Sequence, residues 1–167
     1  PDQVILPRSS SKMLQALTLV ETGAAAAFGL GTEQLALACA SHRSAAMHTD
    51  RVQAWLDNLG LTDEDFRCGA HQPKEAAARH ALRDSGQSPC QFHNNCSGKH
   101  SGFLTVNKHI GGHSEYVEID HPLQKAVKEA FNEMTGLETP GYGIDGCNAP
   151  NFATTVTGLA RAMARMA

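Results

Sequence analysis

The chain has 167 residues and a formal net charge of −3, and 41% of its residues are hydrophobic. This length suits one domain with its own hydrophobic core, so we expect residues 1–167 to form a single domain. The weak charge excludes a strong electrostatic attraction to nucleic acid or to an anionic membrane. No apolar run approaches the roughly 20 residues that span a bilayer, and no signal peptide is apparent. We therefore expect a cytoplasmic protein with small-molecule or protein partners.

Apolar residues at helical spacing predict a mainly α protein. In chain order, the predicted helices cover about residues 12–28, 32–41, 48–59, 73–85, 97–109, 122–135 and 150–166. Pro73 and Pro122 are expected in first turns, and Gly60, Gly86 and Gly136 are expected to end helices. In the last helix, the pattern places Phe152, Val156, Leu159 and Met163 in the core.

Strand signals are few. Residues 4–6 and residues 116–119 are short β-branched or aromatic runs that could form strands. Residues 135–151 are rich in glycine and proline, which predicts a tight, irregular loop around Cys147. Such loops often hold ligands.

A cluster of possible metal ligands lies in the stretch NNCSGKH. If Asn95 or Ser97 caps a helix, then Cys96, Lys99 and His100 fall on one helical face. A helix N-terminus favours the thiolate of Cys96 and the neutral amine of Lys99, both of which can bind zinc. A second thiol would be needed, and Cys147 is a candidate.

Two other interpretations of this cluster remain open. The five cysteines are an odd number, irregularly spaced, which favours reduced thiols or metal ligands over a disulfide framework. A different zinc set could therefore form from Cys90, His93, Cys96 and His100. Alternatively, these residues have no shared role, with the thiol and imidazole simply packed in the core and the lysine solvated.

The stretch PRSSSK contains a serine and a lysine one helical turn apart, Ser9 and Lys12. A serine hydroxyl becomes a strong nucleophile only when a base removes its proton, and a desolvated lysine can be that base. Serines before a helix are more often N-caps. Ser41, in the stretch CASH, carries no signal by itself.

Four stretches together resemble the rhizobial-type L-asparaginases, the asparaginase II family: PRSSSK, CASH, HNNCSGKHSGFL and GIDGCNAPNF. They occur in the family's order along nearly the whole chain. This family is similar in fold to serine β-lactamases and penicillin-binding enzymes, in which helices pack on an antiparallel sheet. The resemblance implies the helical portion of such an α+β fold, and hydrolysis of L-asparagine to L-aspartate and ammonia.

The resemblance also implies a role for each matching residue. The implied catalytic residues are the nucleophile Ser9, its base Lys12 and a second active-site serine, Ser41. The implied substrate-binding residues are Arg8, His100 and Asp145, of which Asp145 would hold the α-ammonium group. The implied ligands of one zinc ion are Cys96, Lys99 and Cys147.

The sequence departs from the family pattern in two respects. The family pairs its second serine with a lysine from a later segment, and it builds most of its sheet from segments that have no counterpart here. We therefore expect residues 1–167 to be an incomplete asparaginase domain. We also expect the protein to form a homodimer. The rival functions are a glutaminase or other Ser-x-x-Lys acyl hydrolase, and a non-catalytic zinc-binding helical module.

Overall fold

The computed structural model describes the whole chain, Pro1–Ala167, as eight α-helices, three short 3-10 helices and four short strands. The helices are α1 (Lys12–Glu21), α2 (Ala24–Ala27), α3 (Thr32–Cys39), α4 (Ala46–Leu59), α5 (Ala76–Ser85), α6 (Ser97–Ile110), α7 (Pro122–Thr135) and α8 (Val156–Met166). The strands are β1 (Val4–Ile5), β2 (Tyr142–Ile144), β3 (Pro150–Phe152) and β4 (Thr154–Thr155). The mainly α prediction is confirmed, whereas the likeness to the β-lactamase fold stays a prediction.

Helix α6 lies at the centre of the molecule. Residues 97–107 of this helix are all buried, and α1, α3 and α4 pack around it. Two glycines allow the closest approaches: a Cβ at Gly98 would lie 2.4 Å from the Leu37 carbonyl oxygen, and one at Gly102 would lie 3.1 Å from Leu19. The small residues of SGKHSGFL therefore let neighbouring helices enclose the start of α6.

Several predicted helix ends are confirmed. Helices α4, α5 and α7 end at Gly60, Gly86 and Gly136, each with φ near +68°, a left-handed conformation that glycine adopts without steric cost. Pro122 occupies the first turn of α7, where its missing N–H needs no helical partner. The apolar positions at helical spacing are also buried: Val52, Trp55, Leu56 and Leu59 in α4, and Leu123, Val127, Ala130 and Phe131 in α7.

The remaining helix predictions need correction at their ends. Gly23, with φ of 79°, separates α1 from α2, so residues 12–28 are not one helix. Pro73 is not in a first turn, because α5 begins at Ala76 with the Glu75 carboxylate accepting a hydrogen bond from the Ala78 N–H. Residues 70–75 therefore form a loop.

The predicted start of the last helix is wrong. Pro150–Phe152 form strand β3, and α8 begins only at Val156, where the Thr155 hydroxyl accepts a hydrogen bond from the Gly158 N–H. Val156 is 49% exposed, and the fully buried positions of α8 are Gly158 and Ala162. Phe152 is buried as predicted, although in strand β3, and Leu159 and Met163 are half-buried beside Gly158 and Ala162, so only Val156 was wrongly placed in the core.

The strand predictions have mixed outcomes. Two of the predicted residues 4–6 form strand β1 (Val4–Ile5), which pairs antiparallel with β4, whereas Leu6 lies outside the strand. Residues 116–119 form turns instead of a strand. Part of the predicted loop 135–151 is a hairpin, because β2 and β3 pair antiparallel and Ile144 lies opposite Pro150. No helix combines the length and apolar character needed to span a membrane.

Candidate active site

Four segments meet around one polar cavity of about 300 Å³. They are the 3-10 turn Arg8–Ser11, the loop before α5, the start of α6 and the tip of the β2–β3 hairpin. The cavity is lined by Arg8, Ser9, His71, Lys74, Asn95, Cys96, Asp145, Gly146 and Cys147. Five residues proposed from the resemblance are therefore neighbours here, although they come from three distant parts of the sequence.

The hairpin tip presents its functional side chains through a tight turn. The Asp145 N–H donates to the Ala149 carbonyl, and the Asn148 N–H donates to the Asp145 carbonyl. Asn148 adopts φ of 63°, a conformation that asparagine tolerates better than most residues. This turn buries Cys147 and leaves Asp145 facing the cavity.

Lys99 and Cys147 make direct contact beneath the cavity. The Lys99 Nζ lies 3.1 Å from the Cys147 Sγ, and both side chains are buried. Cys96 is also buried, lines the same cavity as Cys147 and is not in a disulfide. Neither Asn95 nor Ser97 caps α6 as predicted, because Cys96 is itself the N-cap residue and its N–H donates to the Asn94 Oδ1 at 2.8 Å.

The two cysteines have opposite pKa shifts. A hydrogen bond from the Cys96 thiol, with His100 and the charge of Lys99, lowers the pKa of Cys147 despite burial. The same hydrogen bond and burial raise the pKa of Cys96. The two shifts therefore favour the thiolate at Cys147 and the thiol at Cys96. The buried thiolate is stabilised by the Lys99 ammonium beside it.

His100 is completely buried behind Cys147 and does not line the cavity. The Tyr116 hydroxyl accepts from the Arg67 N–H and lies 2.9 Å from the His100 Nδ1, so its own proton is available for that nitrogen. The other ring nitrogen, Nε2, has no hydrogen-bond partner. Burial lowers the pKa of His100 to about 4, so the ring is neutral at neutral pH.

Lys12 lies at the buried start of α1. Its Nζ donates a hydrogen bond to the Ala40 carbonyl oxygen at 2.5 Å, and burial lowers its pKa. No hydrogen bond joins it to the Ser9 hydroxyl, which is exposed to the cavity. Ser41 is exposed in the turn between α3 and α4, directly after the carbonyl that Lys12 contacts, and does not line the cavity.

Arg8 and Asp145 form an ion pair at the cavity wall. The Arg8 Nη2 lies 2.9 Å from the Asp145 Oδ1, and the Arg8 N–H donates to the Asn151 Oδ1. Arg8 has φ of 52°, an uncommon conformation for a residue with a side chain. Two residues of the hairpin, Asp145 and Asn151, therefore fix the side chain and the backbone N–H of Arg8, the residue directly before Ser9.

The comparison with protein families bears on this constellation. The model of the family described as L-asparaginase II matches residues 1–167, the whole chain. The chain belongs to the L-asparaginase II family. Among curated proteins, none matches the chain significantly.

The donor atoms of Cys96, Lys99 and Cys147 in this asparaginase-family chain can be compared with those that zinc prefers. The sulfurs of Cys96 and Cys147 and the amine of Lys99 are all buried here, and thiolate with nitrogen is a donor set that zinc prefers. The alternative set from the sequence is not assembled. Cys90 and His93 contact each other at 3.2 Å, but no three His, Cys, Asp or Glu side chains share a metal position.

Sequence reasoning assigned no site role to four residues of the cavity wall: His71, Lys74, Asn95 and Gly146. Lys74 was assigned to the predicted helix 73–85, in which a lysine is an ordinary solvated residue. The stretch HQPK did offer a signal, since proline disfavours a helical conformation in the residue before it. That signal predicts a loop but not the surface that the loop faces.

Proposed function

We propose that the protein is an L-asparaginase, an amidohydrolase that converts L-asparagine to L-aspartate and ammonia. The single observation that carries this proposal is that Ser9 shares one polar cavity with the Arg8–Asp145 ion pair and the Cys96–Cys147 pair. Membership of the L-asparaginase II family supports the reaction class. The cavity is polar and of a size suited to a small amino acid.

In the proposed reaction, the Ser9 hydroxyl attacks the side-chain amide carbon of asparagine, and the Lys12 amine takes its proton. Burial favours the neutral amine, whose lone pair remains free while one N–H donates to the Ala40 carbonyl. The proton passes to the departing nitrogen, which leaves as ammonia. Water then hydrolyses the β-aspartyl ester and returns a proton to the Ser9 oxygen.

We assign substrate orientation to the residues around Ser9. The Asp145 carboxylate would accept hydrogen bonds from the α-ammonium group, and Arg8 fixes the direction of that carboxylate through their ion pair. Ser41 would serve as the second active-site serine, beside the Ala40 carbonyl. His100 would act on the substrate site only indirectly, because it lies behind Cys147 and does not line the cavity.

We further propose that Cys96, Lys99 and Cys147 hold a zinc ion. The proposal is supported by the contact of the Lys99 amine with the Cys147 sulfur and by the low pKa of Cys147. Zinc, when bound, supplies Lewis-acid polarisation of an oxygen atom. In the protein without zinc, the Lys99 ammonium compensates the Cys147 thiolate.

The broader setting is also proposed. Five free cysteines suit a reducing compartment, which supports a cytoplasmic location. The helical layer around α6 is compatible with the helical portion of a serine β-lactamase-like fold. The expected homodimer stays a prediction.

The experiment is a rate measurement on two serine variants. Ser9→Ala should lower ammonia release from asparagine by at least about a hundredfold, because the covalent step is lost. Ser10→Ala is the matched control, since this neighbour is exposed and does not line the cavity. Rates within a few-fold of wild type for Ser9→Ala contradict the assignment, and preferential hydrolysis of glutamine favours the glutaminase alternative.

A further inference from the structure

The cavity lining also contains two basic residues outside the Arg8–Asp145 ion pair. Lys74 and His71 both line the cavity, and both come from the loop before α5. The only carboxylate in the lining is Asp145, which is already paired with Arg8. Lys74 forms no ion pair, so its ammonium group is available to a ligand.

The loop that carries these two residues is held firmly. The buried Asn94 side chain donates to the carbonyls of Cys68 and Gly69, at 2.7 and 2.9 Å, and lies 3.4 Å from the His71 Nε2. Its Oδ1 accepts from the Cys96 N–H. One asparagine therefore fixes the loop relative to the start of α6.

The Lys74 end of the loop has its own anchors. The Lys74 carbonyl accepts hydrogen bonds from the Arg43 and Arg79 guanidinium groups. The Glu75 N–H donates to the Arg43 carbonyl at 2.9 Å. Because the backbone is held on both sides, the Lys74 side chain starts from a defined position at the cavity rim.

The charges of the cavity match the groups of a free amino acid. L-asparagine carries an α-ammonium and an α-carboxylate, and the Asp145 carboxylate is suited only to the first of these. An α-carboxylate left without a cationic partner would lose the water that solvates it and gain little in return. A lysine ammonium is a common partner for such an anion.

We propose that Lys74, supported by His71, forms the subsite for the α-carboxylate of the substrate and so selects free asparagine over amides that lack this group. This inference rests on the proposed asparaginase function. Lys74 is thereby a specificity-determining residue, positioned by a loop outside the Ser9 and Cys96 segments. Its effect should depend on whether the substrate carries the carboxylate.

The experiment compares L-asparagine with β-alaninamide, which keeps the amine and the side-chain amide but lacks the α-carboxylate. Lys74→Gln should reduce kcat/KM for asparagine roughly tenfold, the effect expected for one lost charge-assisted hydrogen bond at a partly solvated site. The same variant should leave kcat/KM for β-alaninamide within about twofold, because that substrate never makes the contact. Lys74→Arg should restore most of the preference for asparagine.

Lys125→Gln is the control, since Lys125 is exposed on α7 and does not line the cavity. An equal loss for both substrates in Lys74→Gln would overturn the inference, because it would indicate a general structural effect. No loss of kcat/KM for either substrate would overturn it as well, while leaving the proposed function intact. If the wild-type enzyme releases no ammonia from asparagine, the proposed function fails first and the subsite fails with it.

Discussion

The Nζ of Lys99 lies 3.1 Å from the Sγ of Cys147, a contact between residues 48 positions apart in the chain. Lys99 belongs to the first turn of α6 and Cys147 to the tip of the β2–β3 hairpin, so this contact joins the helical core to the hairpin. Both groups are buried, and an unpaired charge on either would be costly. Without metal, the contact is compatible with a buried ion pair. With metal, both groups would be ligands of the same ion.

Metal content separates the two zinc hypotheses. We expect the wild-type protein to carry one zinc ion per chain and Cys147→Ala to lose it, because the variant removes the group with the lowered pKa. Elemental analysis by mass spectrometry on dialysed protein measures this directly. Cys39→Ala is the control, as that half-buried thiol on α3 lies outside the cavity.

The outcome also tests the alternative set. If Cys147→Ala retains zinc while Cys90→Ala loses it, the metal is bound by the Cys90 and His93 pair and the proposed ligand set is wrong. A wild-type protein purified with zinc in the medium but free of metal would contradict both sets.

A pair of lysine variants separates catalysis from stability. Lys12 and Lys108 each donate from Nζ to a backbone carbonyl, of Ala40 and of Leu59, so methionine at either position leaves one carbonyl without its donor. We expect each variant to lower the free energy of unfolding by about 1–3 kcal/mol. Only Lys12→Met should also reduce asparagine turnover, by at least about a hundredfold, since it removes the proposed base.

Urea unfolding and steady-state kinetics on the same preparations provide the two readouts. Turnover by Lys12→Met within a few-fold of that by Lys108→Met would show that Lys12 has only a structural role.

The stability of the fold should decrease as pH falls, and the buried His42 is one cause. Burial, followed by the charges of His48, Lys12 and His93, lowers the pKa of His42 to about 4 from its ordinary 6.5. Its Nδ1 accepts from the Ser44 N–H and its Nε2 lies 2.8 Å from the Ser97 hydroxyl, an arrangement that requires a neutral ring. Between pH 6.5 and pH 4 the unfolded chain binds a proton that the folded chain does not.

The free energy of unfolding should therefore decrease as pH falls through this window, by up to about 3 kcal/mol from His42. In His42→Gln, which keeps a side-chain N–H near Ser97, this part of the pH dependence should be absent. His80→Gln, at an exposed position of α5, should keep the wild-type slope. Equal slopes in all three proteins, measured by urea unfolding at several pH values, would contradict the assignment.

The parts of the fold that were predictable follow from local chemistry. Gly60 and Gly136 end helices because the left-handed conformation there costs glycine little, and this holds whatever surrounds them. The helix start predicted at Pro150 is wrong because a proline can occupy either the first turn of a helix or a strand. Here Pro150 pairs with Ile144 and lies in a strand. Tyr116 has strand propensity, but its backbone forms a turn. Its hydroxyl contacts the Arg67 N–H and the His100 Nδ1.

The candidate site also has a part that local sequence rules predict and a part that they do not. Helical spacing places Cys96 and Lys99 on one face, and the structure shows both buried at the start of α6. The sequence offers Cys147 as a candidate second thiol and the resemblance assigns it to the zinc set, but no local rule places it beside Lys99. Lys74 could not be assigned to the cavity, because its position depends on Asn94 and Arg43, which are distant in sequence. Long-range hydrogen bonds of this kind leave no periodic signal.

Gly98 is the position at which α6 tolerates the least change. An added Cβ would lie 2.4 Å from the Leu37 carbonyl oxygen and 2.7 Å from the Leu37 Cγ. Backbone cannot move aside as a flexible side chain can, so Gly98→Ala should push α3 away from α6 and cost about 1–3 kcal/mol of stability.

Gly102→Ala is the matched control on the same helix. Its added Cβ would lie 3.1 Å from the Leu19 Cδ1, the end of a side chain that can shift, and alanine improves helix propensity by up to about 1 kcal/mol. We expect Gly102→Ala to change the free energy of unfolding by less than about 1 kcal/mol, as measured by urea unfolding. Because Gly98 lies between Cys96 and Lys99, its variant should also weaken zinc retention, which dialysis against a chelator would detect. Equal stability of the two variants would show that α3 can move away from α6 at little cost, and that the start of α6 is not held as tightly as its contacts indicate.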